Sequence, residues 1–135
     1  NPHIVEVISK SDLIPVISPI AFDRSGQTLN VNADTFASAL AAEMRAKRLL
    51  LLTDVVGVLD KEKELVRSIT VSGARRMIQD GVITGGMIPK VLGCVHAIEN
   101  GVGRTHIIDG RIPHCILLEI FTIKGIGTMI TKAKA

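Results

Sequence analysis

The chain has 135 residues, enough for one domain with a real core. Hydrophobic residues make up 47% and charged residues 21%, a balance that argues against disorder. Aromatic residues are only 2% and the net charge is +3, which leaves no stacking platforms for single-stranded nucleic acid and fits a small anionic ligand better.

No apolar run reaches membrane-spanning length, so neither a membrane nor a nucleic acid is expected as a partner. Cys94 and Cys115 are 21 residues apart and form no CxxC pair, so no metal site is expected. Their simplest setting is a reducing, cytoplasmic one. The basic residues are scattered, apart from Lys132 and Lys134 near the end. The opening Asn1-Pro2-His3-Ile4 lies inside an amphipathic pattern, which suggests a start within a longer protein.

In chain order, the apolar spacing of residues 4–9 predicts a helix. Residues 13–18, broken by Pro15 and stopped by Pro19, read as a strand. Asp23 to Gly26 form a turn between Phe22 and Leu29 that could close a hairpin. Asn30 to Asp34 open an Ala-rich helix running to about Arg45, with Asn32 and Asp34 suited to its cap and first turn. Residues 47–53 hold four consecutive leucines and read as a fully buried strand. A loop with Gly57 follows. Thr70 and Ser72 precede a helix ending near Gly81. Gly85-Gly86 break the chain before a helix over 87–100, which tolerates Pro89 in its first turn and stops at Gly101. Residues 104–108 form a strand, 114–121 a short helix, 124–127 a Gly-rich loop and 128–130 a last strand. Helices alternating with short strands predict one α/β domain, a three-layer sandwich around a mostly parallel sheet.

Three loops could carry chemistry, because ligands of open α/β sheets bind beyond the strands' carboxyl ends. In Asn30-Val31-Asn32-Ala33-Asp34, spacing alone favours helix capping. The sharper alternative turns Asp34 outward to hold cationic groups near a phosphate. Thr53 to Val58 read either as an ordinary strand exit or as a nucleotide shelf. Thr84 to Lys90 put two glycines at a helix start and read either as a plain Gly-rich start with a solvated Lys90 or as a place where backbone approaches an anion, with Lys90 one turn further on. The P-loop spacing is not present. No histidine among His3, His96, His106 and His114 sits in a nucleophile arrangement, and Cys94 and Cys115 read as core residues.

In this order the loops resemble the amino-acid kinase family, and within it the N-acetylglutamate kinases. The resemblance rests on Leu29-Asn30-Val31-Asn32-Ala33-Asp34, on Leu50 through Thr53-Asp54-Val55-Val56-Gly57-Val58-Leu59, and on Ile83-Thr84-Gly85-Gly86-Met87-Ile88-Pro89-Lys90-Val91. It continues through His106-Ile107-Ile108-Asp109-Gly110-Arg111, Leu117 to Phe121 and Gly125-Ile126-Gly127-Thr128-Met129. It covers essentially the whole chain, as the C-terminal, nucleotide-binding half of such a kinase. The N-terminal half, with a second lysine and most of the acetylglutamate pocket, has no counterpart here.

The resemblance implies transfer of the γ-phosphoryl group of ATP, carried with Mg²⁺, to the side-chain carboxylate of N-acetyl-L-glutamate in arginine biosynthesis. It implies that Asn30 contacts the substrate, Asp34 positions lysines and Lys90 stabilises the transferring group. Thr53, Asp54, Val55, Val56, Gly57, Val58 and Leu59 frame the nucleotide, as do Val82, Ile83, Thr84, Gly85, Gly86 and Met87. His106, Glu119 and Gly125 match a feedback site for L-arginine, although on sequence alone Glu119 reads as an exposed helix residue. A homo-oligomer, dimeric or hexameric at full length, is implied, and so is inactivity of the isolated chain. The alternatives are a related kinase for aspartate, carbamate or UMP, and a non-catalytic nucleotide- or arginine-binding regulatory module.

Overall fold

Local chemistry accounts for most element boundaries in the computed structural model, which describes residues 2–133. Helix α1 (His3–Lys10) carries Glu6 in its first turn and Lys10 in its last, as the helix dipole favours. Strands β1 (Ile20–Phe22) and β2 (Thr28–Asn30) pair antiparallel as the expected hairpin. Asp23 fixes their turn, its Oδ1 accepting the N–H groups of Ser25 at 2.8 Å and Gln27 at 2.9 Å. Helix α2 (Ala33–Glu43) starts on Asn32, whose Oδ1 accepts the Thr35 N–H.

Strand β3 (Arg48–Thr53) is followed by β4 (Ser68–Thr70) and α3 (Val71–Gln79), where Thr70 Oγ1 caps the Gly73 N–H. Ser72 thus lies inside the helix rather than ahead of it. Helix α4 (Met87–Glu99), β5 (Arg104–Asp109), α5 (Cys115–Phe121) and β6 (Thr128–Thr131) complete the chain. Lys134 and Asn1 lie outside the described residues.

The main sheet has the order β3-β5-β6-β4, with β3/β5 and β4/β6 parallel and β5/β6 antiparallel. It is the mostly parallel α/β sheet expected. Helices α2, α3 and α4 cover one face, and Leu49, Leu51, Ile69, Ile107 and Ile130 point into a core shared with Val91, Val95 and Ile98 of α4. Side chains alternate along a strand. His106 therefore faces the other way, where its ring meets Glu119 of α5.

Two expectations fail, each for want of a neighbour. Strand β3 is not buried on both faces: Leu51 is buried while Leu52 is 47% exposed, because the outer layer is the single short helix α5. Residues 13–18 form no strand. They have no ladder partner among the described residues, and Ile14 and Val16 are 89% and 95% exposed. A strand is defined by its neighbour, and an apolar run alone does not supply one.

Candidate functional site

The site begins with a division of labour at the start of α2. Asn32 caps the helix, so Asp34 is not needed there. Asp34 instead turns toward α4, where its Oδ2 accepts a hydrogen bond from Lys90 Nζ at 2.8 Å. Both side chains are mostly buried, with 22% and 23% exposure. At this depth solvent screens their mutual attraction less than it would at the surface.

A glycine brings the two helices close enough. A Cβ at Gly93 would stand 2.9 Å from Ser38 Oγ, so α2 and α4 approach closely at this point and an added methyl group would have to displace that hydroxyl. Ser38 is one turn beyond Asp34, and Gly93 is one turn beyond Lys90. Further along, Glu43 and Arg45 share a hollow with His96 and Asn100. The helices therefore run with their N-termini at the same end, and their positive dipole ends lie beside Lys90.

That end of the fold adjoins a cavity of about 520 Å³, within the usual range for small-molecule sites. Of the residues expected around a nucleotide, Val55, Gly57, Val58, Leu59, Val82, Ile83, Thr84 and Met87 line it. Thr53, Asp54, Val56, Gly85 and Gly86 do not. Sequence reading missed Asp60, Lys61, Lys63, Asp80 and Gly81, which also line it. Residues 58–66 fold back on themselves, with a bridge between Leu59 and Leu65 and Val66 N–H bonded to Val58 O at 2.9 Å. Asp60 Oδ1 holds the tip by accepting from Glu62 and Glu64 N–H. The alternating charges of Asp60 to Glu64 were the available signal for this flap.

At the helix start, Gly85 has φ +55° and nothing lies within 4 Å of a Cβ built at Gly85 or Gly86. Gly86 has φ −65°, which any L-residue adopts. Neither packing nor backbone angle requires glycine at this position. Asn30 ends β2, exposed and paired with Ile20. It lies two residues ahead of the cap.

At the carboxyl ends of β3 and β5, Thr53 and Asp109 are register partners. Arg111 grips Asp109 through Nε at 2.9 Å and a terminal nitrogen at 2.7 Å. These bonds hold the Asp109 carboxyl down at about 2, from an ordinary 3.8. A depressed carboxyl stabilises the fold fully above its ordinary value and ceases to do so as pH falls toward 2. Arg111→Met should therefore flatten the loss of stability between pH 4 and pH 2 in urea titrations. An unchanged acid profile would remove this pair from acid stability. Burial raises the Cys94 thiol to about 11, which keeps it protonated and inert, as expected of a core residue.

His106, Glu119 and Gly125 are brought together on the outer face of the sheet. Glu119 is not an exposed helix residue: its side chain is 4% exposed. Its Oε1 meets His106 Nδ1 at 2.7 Å, and its Oε2 accepts the N–H groups of Ile126 at 2.6 Å and Gly127 at 3.0 Å. Burial pushes its carboxyl up, but the Ile126 N–H, His106 and the Gly127 N–H outweigh it, and the net shift is downward. A Cβ at Gly125 would stand 2.7 Å from Glu119 Oε2. The cluster lines a cavity of about 380 Å³ that also holds Arg48, Arg67, Arg104 and Lys124. His106 Nε2 is buried with no protein partner.

The chain is thus a layered α/β domain with two helix starts side by side, an internal Lys–Asp bond and a cavity of small-molecule size. More particularly, the chain belongs to the amino acid kinase family, whose model matches residues 2–109. It is 54% identical over 135 residues to an acetylglutamate kinase of Methylobacterium nodulans, all of this chain but 44% of that protein. It is 60% identical over 121 residues to an acetylglutamate kinase of Rhodopseudomonas palustris, 90% of this chain and 41% of that one. The chain thus spans less than half the length of these relatives. Among solved structures, the N-acetylglutamate synthase of Neisseria gonorrhoeae, complexed with coenzyme A and L-arginine, superposes with a TM-score of 0.93. That match has 24% identity, covers 98% of this chain and 31% of the synthase, and speaks for the fold.

Among the described residues no helix is long and apolar enough to cross a membrane, and no three His, Cys, Asp or Glu side chains converge as a metal cage.

Proposed function

We propose that the chain is the nucleotide-binding half of a kinase that phosphorylates the side-chain carboxylate of N-acetyl-L-glutamate with MgATP. The observation that carries this reading is the mostly buried Lys90–Asp34 bond at the joint N-termini of α2 and α4. Neither partner lines the 520 Å³ cavity, but Met87, one turn before Lys90 on α4, does. The kinase names of relatives at 54% and 60% identity support the substrate.

The chemistry asks little of a protein beyond position and charge. The attacking carboxylate is already ionised at neutral pH, so no general base is needed. Carboxylate and phosphates repel, and the transition state spreads negative charge over the transferring oxygens. Lys90 offsets that charge. Asp34 keeps the ammonium from swinging into solvent, so its orientation is set before the substrates arrive. The α4 N-terminus adds partial positive charge. Mg²⁺ enters with the phosphates of the substrate, which usually supply much of its coordination, and no residue here is assigned to hold it. Asn30, at the hairpin end ahead of α2, is the chain's contribution to the acetylglutamate.

His106, Glu119 and Gly125 form the proposed feedback site for L-arginine. Glu119 keeps one lone-pair position on Oε1 for a guanidinium N–H, and the surrounding arginines and Lys124 suit an α-carboxylate.

Thermal shifts test the nucleotide reading. At 100 times its Kd, a ligand of the native state stabilises by about 2.7 kcal/mol. MgATP is expected to raise the melting temperature of this chain without being consumed. In Gly86→Ala the ligand-free melting temperature should hold, since φ and space both permit a methyl group, while the MgATP shift shrinks. No shift in the parent chain, or an equal shift in the variant, counts against the nucleotide at this helix start.

A further inference from the structure

The two cavities share one short segment. Gly127 N–H bonds to Glu119 Oε2 at 3.0 Å, and Glu119 lines the basic cavity. The next residue, Thr128, is fully buried, and its Oγ1 accepts the Val58 N–H at 2.9 Å. Val58 lines the nucleotide cavity. One peptide unit therefore separates a bond made in one cavity from a bond made in the other.

The contact on the nucleotide side leaves no slack. A Cβ at Gly57 would stand 2.7 Å from Thr128 Oγ1 and 3.3 Å from its backbone nitrogen, so the loop lies directly on Thr128. A second strut runs alongside. Met129 N–H bonds to Arg67 O at 2.9 Å, and the Arg67 side chain reaches the Gly125 carbonyl at 3.2 Å. Backbone pairing places Thr128 opposite Ile107, and its Oγ1 faces the Val58 amide. What only a hydroxyl supplies there is an acceptor for a buried amide.

We propose that Thr128 is a positioning residue that couples the basic cavity to the nucleotide cavity. A donor that competes for Glu119 loosens the Gly127 N–H, the segment shifts, and Thr128 Oγ1 moves against Val58. Such coupling is reciprocal, so a nucleotide must also change the state of the Gly127 amide. The inference rests on the nucleotide reading of the cavity and does not need the effector to be arginine.

The test is hydrogen exchange at the Ile126 and Gly127 amides of the natural polypeptide, with and without a Mg²⁺-bound non-hydrolysable ATP analogue. Calorimetry of the same analogue runs beside it. In the parent, exchange at Gly127 is expected to change at least threefold on binding. Thr128→Ser retains the change, Thr128→Val loses it, and Glu119→Gln alters nucleotide affinity by threefold or more from the far end. An unchanged Gly127 amide in a parent that binds the analogue overturns the coupling alone. So does a full response in Thr128→Val. Should that variant not fold, unaltered nucleotide affinity in Glu119→Gln overturns it instead. Calorimetry without binding heat removes the nucleotide reading, and the coupling with it.

Discussion

Lys90→Ala is expected to lower the turnover rate of the natural polypeptide by on the order of 10²–10³, the usual loss when one preorganised charge contact to a transition state is removed. The ammonium is held on Asp34 at 2.8 Å before any substrate binds, so its contribution should fall on the chemical step. The apparent KM for MgATP should change much less, since the apolar and backbone groups of the cavity remain. Asp34→Asn is expected to act in the same direction and more weakly. It leaves the lysine in place but lets it move, and the double variant should be no worse than Lys90→Ala, as for residues that act as a unit. Steady-state rates with acetylglutamate and MgATP decide the matter. A rate within tenfold of the parent would take Lys90 out of the catalytic role.

The pair at the centre of that prediction was not legible from spacing. Asp34 and Lys90 lie 56 residues apart, on helices whose own patterns say only that each carries one charged residue in its first turn. Asn32 and Asp34 both read as serving the helix start, as cap and first turn. The structure separates them, because the cap geometry selects the residue immediately before the first helical one. The resemblance supplied the pairing, and the close approach of α2 and α4 at Gly93 and Ser38 puts the two side chains within reach of each other. Glu119 is the reverse case. A charged residue in a short helix reads as solvated, and nothing local reveals that two loop amides and a histidine will surround it.

Elements with their own punctuation were readable: the Asp23 turn, the Thr70 cap, the glycines before α4 and after it. Strand β4 was not, since Ser68–Thr70 is three residues long and exists through its partner β6, some 60 residues later. The strand read at residues 13–18 shows the same dependence from the other side, an apolar run without a neighbour. Four leucines in β3 announced a strand but could not say that one face would be thinly covered.

Gly127→Ala is expected to cost the most stability of any single methyl group added to a glycine here, roughly 3 kcal/mol or more at a site where nothing can give. The added Cβ would press on the Ile107 carbonyl oxygen and stand 2.7 Å from Ile108 Cγ2. Both belong to β5, which is hydrogen-bonded on one side to β3 and on the other to β6. A flexible side chain could swing aside, but the backbone of a strand with two neighbours cannot. Backbone angles play no part, because Gly127 is not among the positive-φ glycines. Gly85 is the contrast. It has φ +55° with open space around it, so alanine there pays only the left-handed conformation, about 1–2 kcal/mol. Urea unfolding of both variants separates the two causes. A loss below 1 kcal/mol in Gly127→Ala would mean that β5 and the Glu119 loop can part at little cost. The tight seating of residues 125–129 on which the proposed coupling relies would then not exist.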